Sequence, residues 1–97
     1  MKIIDRGEIL DKFCDYLNQH RKETGIKIKR ENNSEAWLEI NSWLGDTIGS
    51  VKLIKNKLIN IGIWKVYLNK IDKFTNFKNL LKDFEVKNKV NVVVEMK

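Results

Sequence analysis

The sequence predicts a small single α+β domain over residues 1–97, a sandwich of two to three helices packed on a three- to five-stranded, mostly antiparallel sheet. Two patterns predict it. Apolar residues recur at spacings of three and four near 9–17 and 74–84, as on one face of a helix, whereas 89–96 and parts of 26–40 alternate apolar and polar residues, as in strands. The chain has no proline, so its turns depend on glycine and asparagine.

Composition limits the class of protein. A chain of 97 residues can build one modest core, and 42% hydrophobic and 33% charged residues are typical of a globular protein. No apolar run approaches the roughly 18 residues that span a bilayer, and charge interrupts the N-terminus at Asp5, so we expect neither a membrane partner nor a signal peptide. A lone cysteine, Cys14, has no partner for an internal disulfide. These features predict a cytoplasmic protein.

The first helix is predicted by its cap and its apolar face. Asp5 with Glu8 three residues later is typical of a capping box, and Gly25 ends the segment after Glu23 or Thr24. One side of the helical wheel holds the apolar residues Ile9, Leu10, Phe13, Cys14, Tyr16 and Leu17.

The stretch Ser34–Trp64 has two interpretations. In the helical one, Ser34 caps a helix over 35–44, Gly45 ends it, and a second helix runs from Asp46 or Thr47 to about Ile61. This layout resembles helix-turn-helix regulators. Leu44-Gly45 lies where they close their first helix, and the resemblance makes the second helix a DNA-recognition helix. The residues that would pack it and lead into a strand are Val51, Leu58, Ile61, Gly62 and Ile63.

In the extended interpretation, the same region begins with a hairpin. Ile26 and Ile28 alternate with lysines, 31–34 is a polar turn, and Ala36, Leu38 and Ile40 alternate with polar or aromatic residues. The helix over 35–44 would then not exist. The sequence leaves both interpretations open.

The C-terminal third predicts a strand, a helix and a strand. Alternation predicts a strand over 63–69, apolar spacing predicts a helix over 71–84 with an aromatic core stripe, and alternation predicts a last strand over 89–96 with Val90, Val92, Val94 and Met96 on one face. The two strands could pair in parallel through a right-handed crossover.

We expect no enzyme, cofactor or metal site from this sequence. Cys14 and His20 are six positions apart on the first helix, about 120° around its axis, so they cannot readily meet as nucleophile and base. Cys14 is predicted to be a small core residue and His20 a partly exposed one. A single cysteine and a single histidine do not form a zinc site of ordinary spacing.

The distribution of charge suggests a nucleic-acid partner, DNA or RNA. Residues 1–49 hold eight basic and nine acidic groups, a net of −1, whereas 50–97 hold eleven basic and four acidic groups, a net of +7. Such asymmetry favours one positive side and backbone-dominated, salt-sensitive binding. The candidate nucleic-acid-binding residues are Lys52, Lys55, Asn56, Lys57, Lys65 and Tyr67.

The alternative function belongs to another class, a small inhibitor or regulator that blocks a larger protein complex, as accessory factors of phages, viruses or plasmids do. Trp37 and Trp43 are its candidate interaction residues, because tryptophan is a favoured anchor of interfaces. If the hairpin forms, both lie opposite the face of Ala36, Leu38 and Ile40, so one face must be covered by a helix or meet a partner. Either function suits a monomer or a homodimer.

Overall fold

A computed structural model describes residues 6–40, 46–55, 57–71 and 73–97. It confirms the predicted α+β class, with the helices packed on one mostly antiparallel sheet. In chain order the elements are α1 (Arg6–Gln19), α2 (Arg21–Thr24), β1 (Ile26–Arg30), β2 (Glu35–Ile40), β3 (Thr47–Lys55), β4 (Leu58–Ile63), a 3-10 helix (Lys65–Lys70), α3 (Phe74–Asn88) and β5 (Asn91–Met96).

The five strands lie in the sheet in the same order as in the chain, β1-β2-β3-β4-β5. The first four are antiparallel neighbours, and β5 pairs with β4 in parallel after the chain crosses through α3. A parallel strand-helix-strand unit is therefore present, but its first strand is β4 and not the predicted strand over 63–69. Because strand order follows chain order, β1 and β2 of the nearly neutral half lie at one edge of the sheet, and β4 and β5 of the basic half lie at the other.

The core lies between the helices and one face of the sheet. Leu38, Val51 and Ile61 come from neighbouring central strands and are almost fully buried. Phe13 of α1 meets Phe84 of α3 edge to face, with ring centroids 5.1 Å apart. Burial of each such side chain stabilises the fold by roughly 1.5–3 kcal/mol.

The first helical segment is confirmed with one break. The chain turns at His20, whose backbone leaves helical geometry at φ −108° and ψ 18°, and α2 then continues to Thr24. Gly25 follows in the left-handed conformation at φ 72° and donates its N–H to the Arg21 carbonyl, as predicted for a helix stop. The proposed cap, Asp5, lies outside the described residues.

The extended interpretation is correct for residues 26–40, where β1 and β2 form the hairpin. The predicted second helix over 47–61 is wrong, because this segment forms the β3–β4 hairpin. The expected recognition helix is absent there, so the resemblance to helix-turn-helix regulators is not upheld; Leu44-Gly45 lies outside the described residues.

A bulge in β3 places two core residues at a spacing that is also typical of a helix. The register between β2 and β3 shifts at Leu38/Glu39, so that Ile48 is an extra residue, fully buried, between Thr47 and Gly49. Two core residues of a regular strand are two positions apart, but the bulge makes the spacing from Ile48 to Val51 three.

The predicted strand over 63–69 is also wrong. β4 ends at Ile63, and Tyr67 donates its N–H to the Trp64 carbonyl at 2.9 Å, a bond typical of a 3-10 helix. The alternating residues do not share a face, since Val66 is 73% exposed and Leu68 is half-buried.

The last two elements, α3 and β5, are a helix and a strand, as predicted. α3 begins at Phe74 and extends to Asn88, and its predicted core stripe is confirmed with Phe77, Leu80, Leu81 and Phe84 buried. In β5, Val92 and Val94 lie on the core side, while Val93 is 44% exposed on the other. The structure makes β5 an edge strand, a point that the sequence left open.

Candidate functional site

The helices of the described residues cover one face of the sheet, and the opposite face, here called the open face, carries the candidate site. Pairing partners in neighbouring strands share a face, so the strand registers assign its members. They are Lys27 and Lys29 of β1, Glu35, Trp37 and Glu39 of β2, Thr47, Ser50 and Lys52 of β3, Leu58, Asn60 and Gly62 of β4, and Asn91, Val93 and Glu95 of β5.

Trp37 lies on the open face, as the hairpin interpretation predicted. Its side chain is 36% exposed, and its ring N–H donates to Glu31 Oε2 at 3.2 Å. The indole borders a shallow depression of about 330 Å³, lined by Lys29, Glu31, Trp37, Glu39 and Thr47. The hydrogen bond fixes the ring edge, so one aromatic surface is held beside a cleft.

A second tryptophan, Trp64, follows β4 directly. Its backbone is extended, at φ −74° and ψ 124°, and its N–H donates to the Ile48 carbonyl at 3.1 Å. Since Ile63 points into the core, this alternation directs Trp64 to the open side, where it is 36% exposed. Its ring contacts that of Tyr67, with centroids 6.1 Å apart. The open face thus presents two indoles.

Small residues separate the two tryptophans. Trp37 pairs with Ser50, and Ser50 pairs with Gly62, two positions before Trp64. Two inter-strand spacings of about 4.8 Å and one two-residue step place the two tryptophan Cα atoms about 12 Å apart. Neither Ser50 nor Gly62 has a side chain as large as an indole, and Gly62 is buried beneath the Lys97 side chain.

Lysines lie beside both indoles. Lys29 pairs with Trp37 across β1 and β2. The side chain of Lys97 lies across Gly62, since a Cβ there would be 2.9 Å from Lys97 Cε. Of the nearby carboxylates, Glu39 lies 3.5 Å from the Lys27 ammonium, whereas Glu31 accepts from the neutral Trp37 N–H and keeps its negative charge. Lys29 and Lys97 supply positive charge next to the aromatic surfaces, and Glu31 supplies negative charge beside Trp37.

The residues predicted for nucleic-acid binding do not form one cluster. Lys52 lies on the open face, directly opposite Glu35. Lys57 is exposed in the β3–β4 turn at one end of the sheet. Asn56 and the Lys55 side chain lie outside the described residues.

Lys65 and Tyr67 belong to the 3-10 helix at the other end of β4. A six-residue strand, about 20 Å long, separates them from the turn that holds Lys57. Of the two tryptophans proposed for a protein interface, Trp37 is exposed as expected and Trp43 lies outside the described residues.

Sequence reasoning missed Trp64 and Lys97 as site residues. Trp64 falls in the strand predicted over 63–69 and is not among the candidate site residues. Lys97 ends the chain, and only the bonds from Lys97 N–H to the Ile63 carbonyl (2.7 Å) and from Lys65 N–H to the Lys97 carbonyl (3.4 Å) reveal its place. No sequence pattern predicts those two bonds.

The two residues that a catalytic site would need lie away from the open face. Cys14 is buried in the helical layer, as predicted, and burial raises the pKa of its thiol from 9.0 to about 11, against a smaller opposing effect of Arg30. His20 is partly exposed, as predicted, and its Nδ1 lies 3.0 Å from Glu23 Oε1. A thiol that stays protonated at neutral pH is a poor nucleophile.

The raised pKa of Cys14 predicts a loss of stability at alkaline pH. The folded state holds the thiol proton up to about pH 11, whereas the unfolded chain releases it from pH 9.0. This contribution is complete below pH 9.0 and is lost as pH rises toward 11. Between about pH 8 and pH 10.5 we expect the free energy of unfolding to fall by about 2 kcal/mol more in the native protein than in Cys14→Ala. Urea unfolding at both pH values measures it, and equal falls would contradict it.

Neither a metal site nor a membrane span is found in the described part of the chain. Its histidine, cysteine, aspartate and glutamate side chains form no group of three or more that could hold a metal ion. None of its helices is long and apolar enough to cross a membrane. Comparison of the chain with protein-family models, with curated proteins and with solved structures gives no match.

Proposed function

We propose that this protein binds unpaired nucleic-acid strands on the open face, with Trp37 and Trp64 stacking on bases. The observation that carries the proposal is the pair of indoles, each 36% exposed, on a sheet face that no described helix covers. Stacking of a base on an aromatic side chain contributes roughly 1–3 kcal/mol and tolerates any base. A duplex hides its base faces, so the preferred ligand is a single strand of DNA or RNA.

Charge supports the same partner. The chain carries a net charge of +6, which attracts a polyanion over long range. Lys29 and Lys97 lie beside the indoles, where phosphates that flank a stacked base would pass. The chain has only three arginines, and none is on the open face, so the bidentate contacts that read guanine are lacking. We therefore expect binding with little sequence preference.

Replacing lysines by neutral glutamines tests the phosphate contacts. Lys29→Gln with Lys97→Gln removes two contacts, so the slope of log affinity against log salt should become shallower by about 1.4 between about 50 and 200 mM salt. Fluorescence anisotropy of a labelled single strand of about ten nucleotides measures it, a length within the range of known single-strand sites. Lys12→Gln with Lys22→Gln is the matched control, because it makes the same change in net charge among exposed helical residues. Equal slopes in the two variants would contradict the proposed face.

A protein partner on the same face is the second candidate. Glu35 and Glu95 lie on the open face together with lysines, and mixed charge around an exposed tryptophan is typical of the rim and anchor of a protein interface. The protein would then act as the inhibitor or regulator of a larger complex. Loss of complex formation in Trp37→Ala, with no binding of single strands by the native protein, would favour this function over the first.

A further inference from the structure

The two edge strands of the sheet differ in how many of their outward backbone groups have hydrogen-bond partners. At the β1 edge, the Asn18 amide donates to the Ile28 carbonyl at 3.0 Å and its Oδ1 accepts the Ile28 N–H at 3.0 Å. The Thr24 hydroxyl accepts the Ile26 N–H at 3.1 Å. Side chains thus occupy the groups that a further strand would need, and this edge is closed to strand addition.

The β5 edge is open over its second half. Asn91 N–H donates to the Lys57 carbonyl and Lys97 N–H to the Ile63 carbonyl, so odd-numbered residues face β4 and even-numbered ones face outward. Val92 N–H is occupied by Glu85 Oε2 at 2.8 Å. Within the described residues, the outward N–H and C=O groups of Val94 and Met96 have no partner.

A groove runs beside this open edge, between α3 and β5. It has a volume of about 130 Å³ and is lined by Lys78, Leu81, Lys82, Glu85, Val92 and Val94. Its base is aliphatic, and Val92 and Val94 remain half-buried where α3 stops covering the sheet. Lys78 and Lys82 are exposed one helical turn apart on its rim. The groove continues the core up to the position that a sixth strand would take.

We propose that the β5 edge binds an extended acidic segment of another protein as a sixth strand. Its backbone would pair with Val94 and Met96, and every second side chain would face α3, where apolar ones would enter the groove and carboxylates would meet Lys78 and Lys82. A second copy of this chain is disfavoured, because edge pairing around a twofold axis would bring the lysines of both copies together. A nucleic acid is disfavoured too, because its phosphodiester backbone has no N–H donors for the strand carbonyls. This inference concerns a different surface from the open face and does not depend on the proposed function.

The test uses the full chain and the peptide acetyl-Thr-Glu-Thr-Val-Thr-Glu-Thr-amide, in which the valine and both glutamates lie on one face of the strand. Titration into the ¹⁵N-labelled protein should shift the backbone amide resonances of Val94 and Met96 more than those of Ile26 and Ile28 on the closed edge. Lys78→Glu with Lys82→Glu should weaken binding by about tenfold or more, because like charges would then meet, whereas the control Lys12→Glu with Lys22→Glu should leave it within about twofold.

Three outcomes would overturn the proposal. One is the absence of shifts at Val94 and Met96 at millimolar peptide. Another is equal binding of a peptide with lysine in place of every glutamate. The third is a single-stranded oligonucleotide that shifts these two amides as strongly as the peptide, which would assign the edge to nucleic acid.

Discussion

Replacing Trp37 or Trp64 by alanine should weaken the binding of single-stranded nucleic acid by about 5- to 150-fold each, because one stacked base is worth roughly 1–3 kcal/mol. The two tryptophan Cα atoms lie about 12 Å apart and the rings serve different bases, so the effects should nearly add, and the double variant should lose about 30-fold or more. Both side chains are 36% exposed, so the fold should survive. Anisotropy titration of a labelled strand, with circular dichroism as a check of folding, measures the effect.

Val86→Ala is a suitable control for these variants, since Val86 is a large apolar residue of α3 and is 79% exposed on the helical side. We expect it to bind as tightly as the native protein. Trp37→Phe should recover most of the affinity that Trp37→Ala loses, because an aromatic face is restored. A Trp37→Phe variant as weak as Trp37→Ala would show that stacking is not the interaction at this position.

Replacing Gly49 by alanine should destabilise the protein by about 4 kcal/mol or more, a loss found only where backbone or core must move. A Cβ at Gly49 would lie 2.1 Å from the Gly62 carbonyl oxygen and 3.1 Å from Ile63 Cα. These are backbone atoms of β4, so relief would require that β3 and β4 separate. For a domain of this size, the melting temperature should drop by roughly 15–30 °C. Thermal unfolding followed by circular dichroism measures it.

Gly62→Ala is the matched control on the neighbouring strand. A Cβ there would meet only the far end of the Lys97 side chain, at 2.9 Å from Cε and 3.2 Å from Nζ, and that end can rotate away. We expect a change of about 1 kcal/mol or less in the free energy of unfolding. Equal stability of Gly49→Ala and Gly62→Ala would contradict the close approach of β3 and β4.

The sequence predicts those elements whose pattern is regular. α1 and α3 have apolar residues at helical spacing and β5 alternates, so each is predicted in kind, whereas the alternating β1 and β2 are predicted in one of two open interpretations. The errors fall where a local irregularity changes the spacing. The extra residue Ile48 turns a period of two into an interval of three, and the 3-10 helix over 65–70 interrupts an alternating run. Neither irregularity has a signature in this sequence.

The site is less predictable than the fold because it depends on pairing across strands. Trp37 could be assigned to the exposed face from the alternation of β2 alone. Trp64, Lys97, Ser50 and Gly62 come together only through the registers of β3, β4 and β5. The strands of the basic half do lie together at one edge of the sheet, but its lysines point in several directions, and only some of them lie on the open face.

Measuring how much the bases contribute to the binding affinity tests the central claim most directly. Two labelled DNA strands of about ten residues would be compared by anisotropy at one salt concentration, one with thymine at every position and one abasic but with the same number of phosphates. Stacking on Trp37 and Trp64 predicts that the strand with bases binds about 30-fold tighter or more. Equal affinities would show that phosphates alone are bound, and the open face would then have no role in recognising unpaired bases.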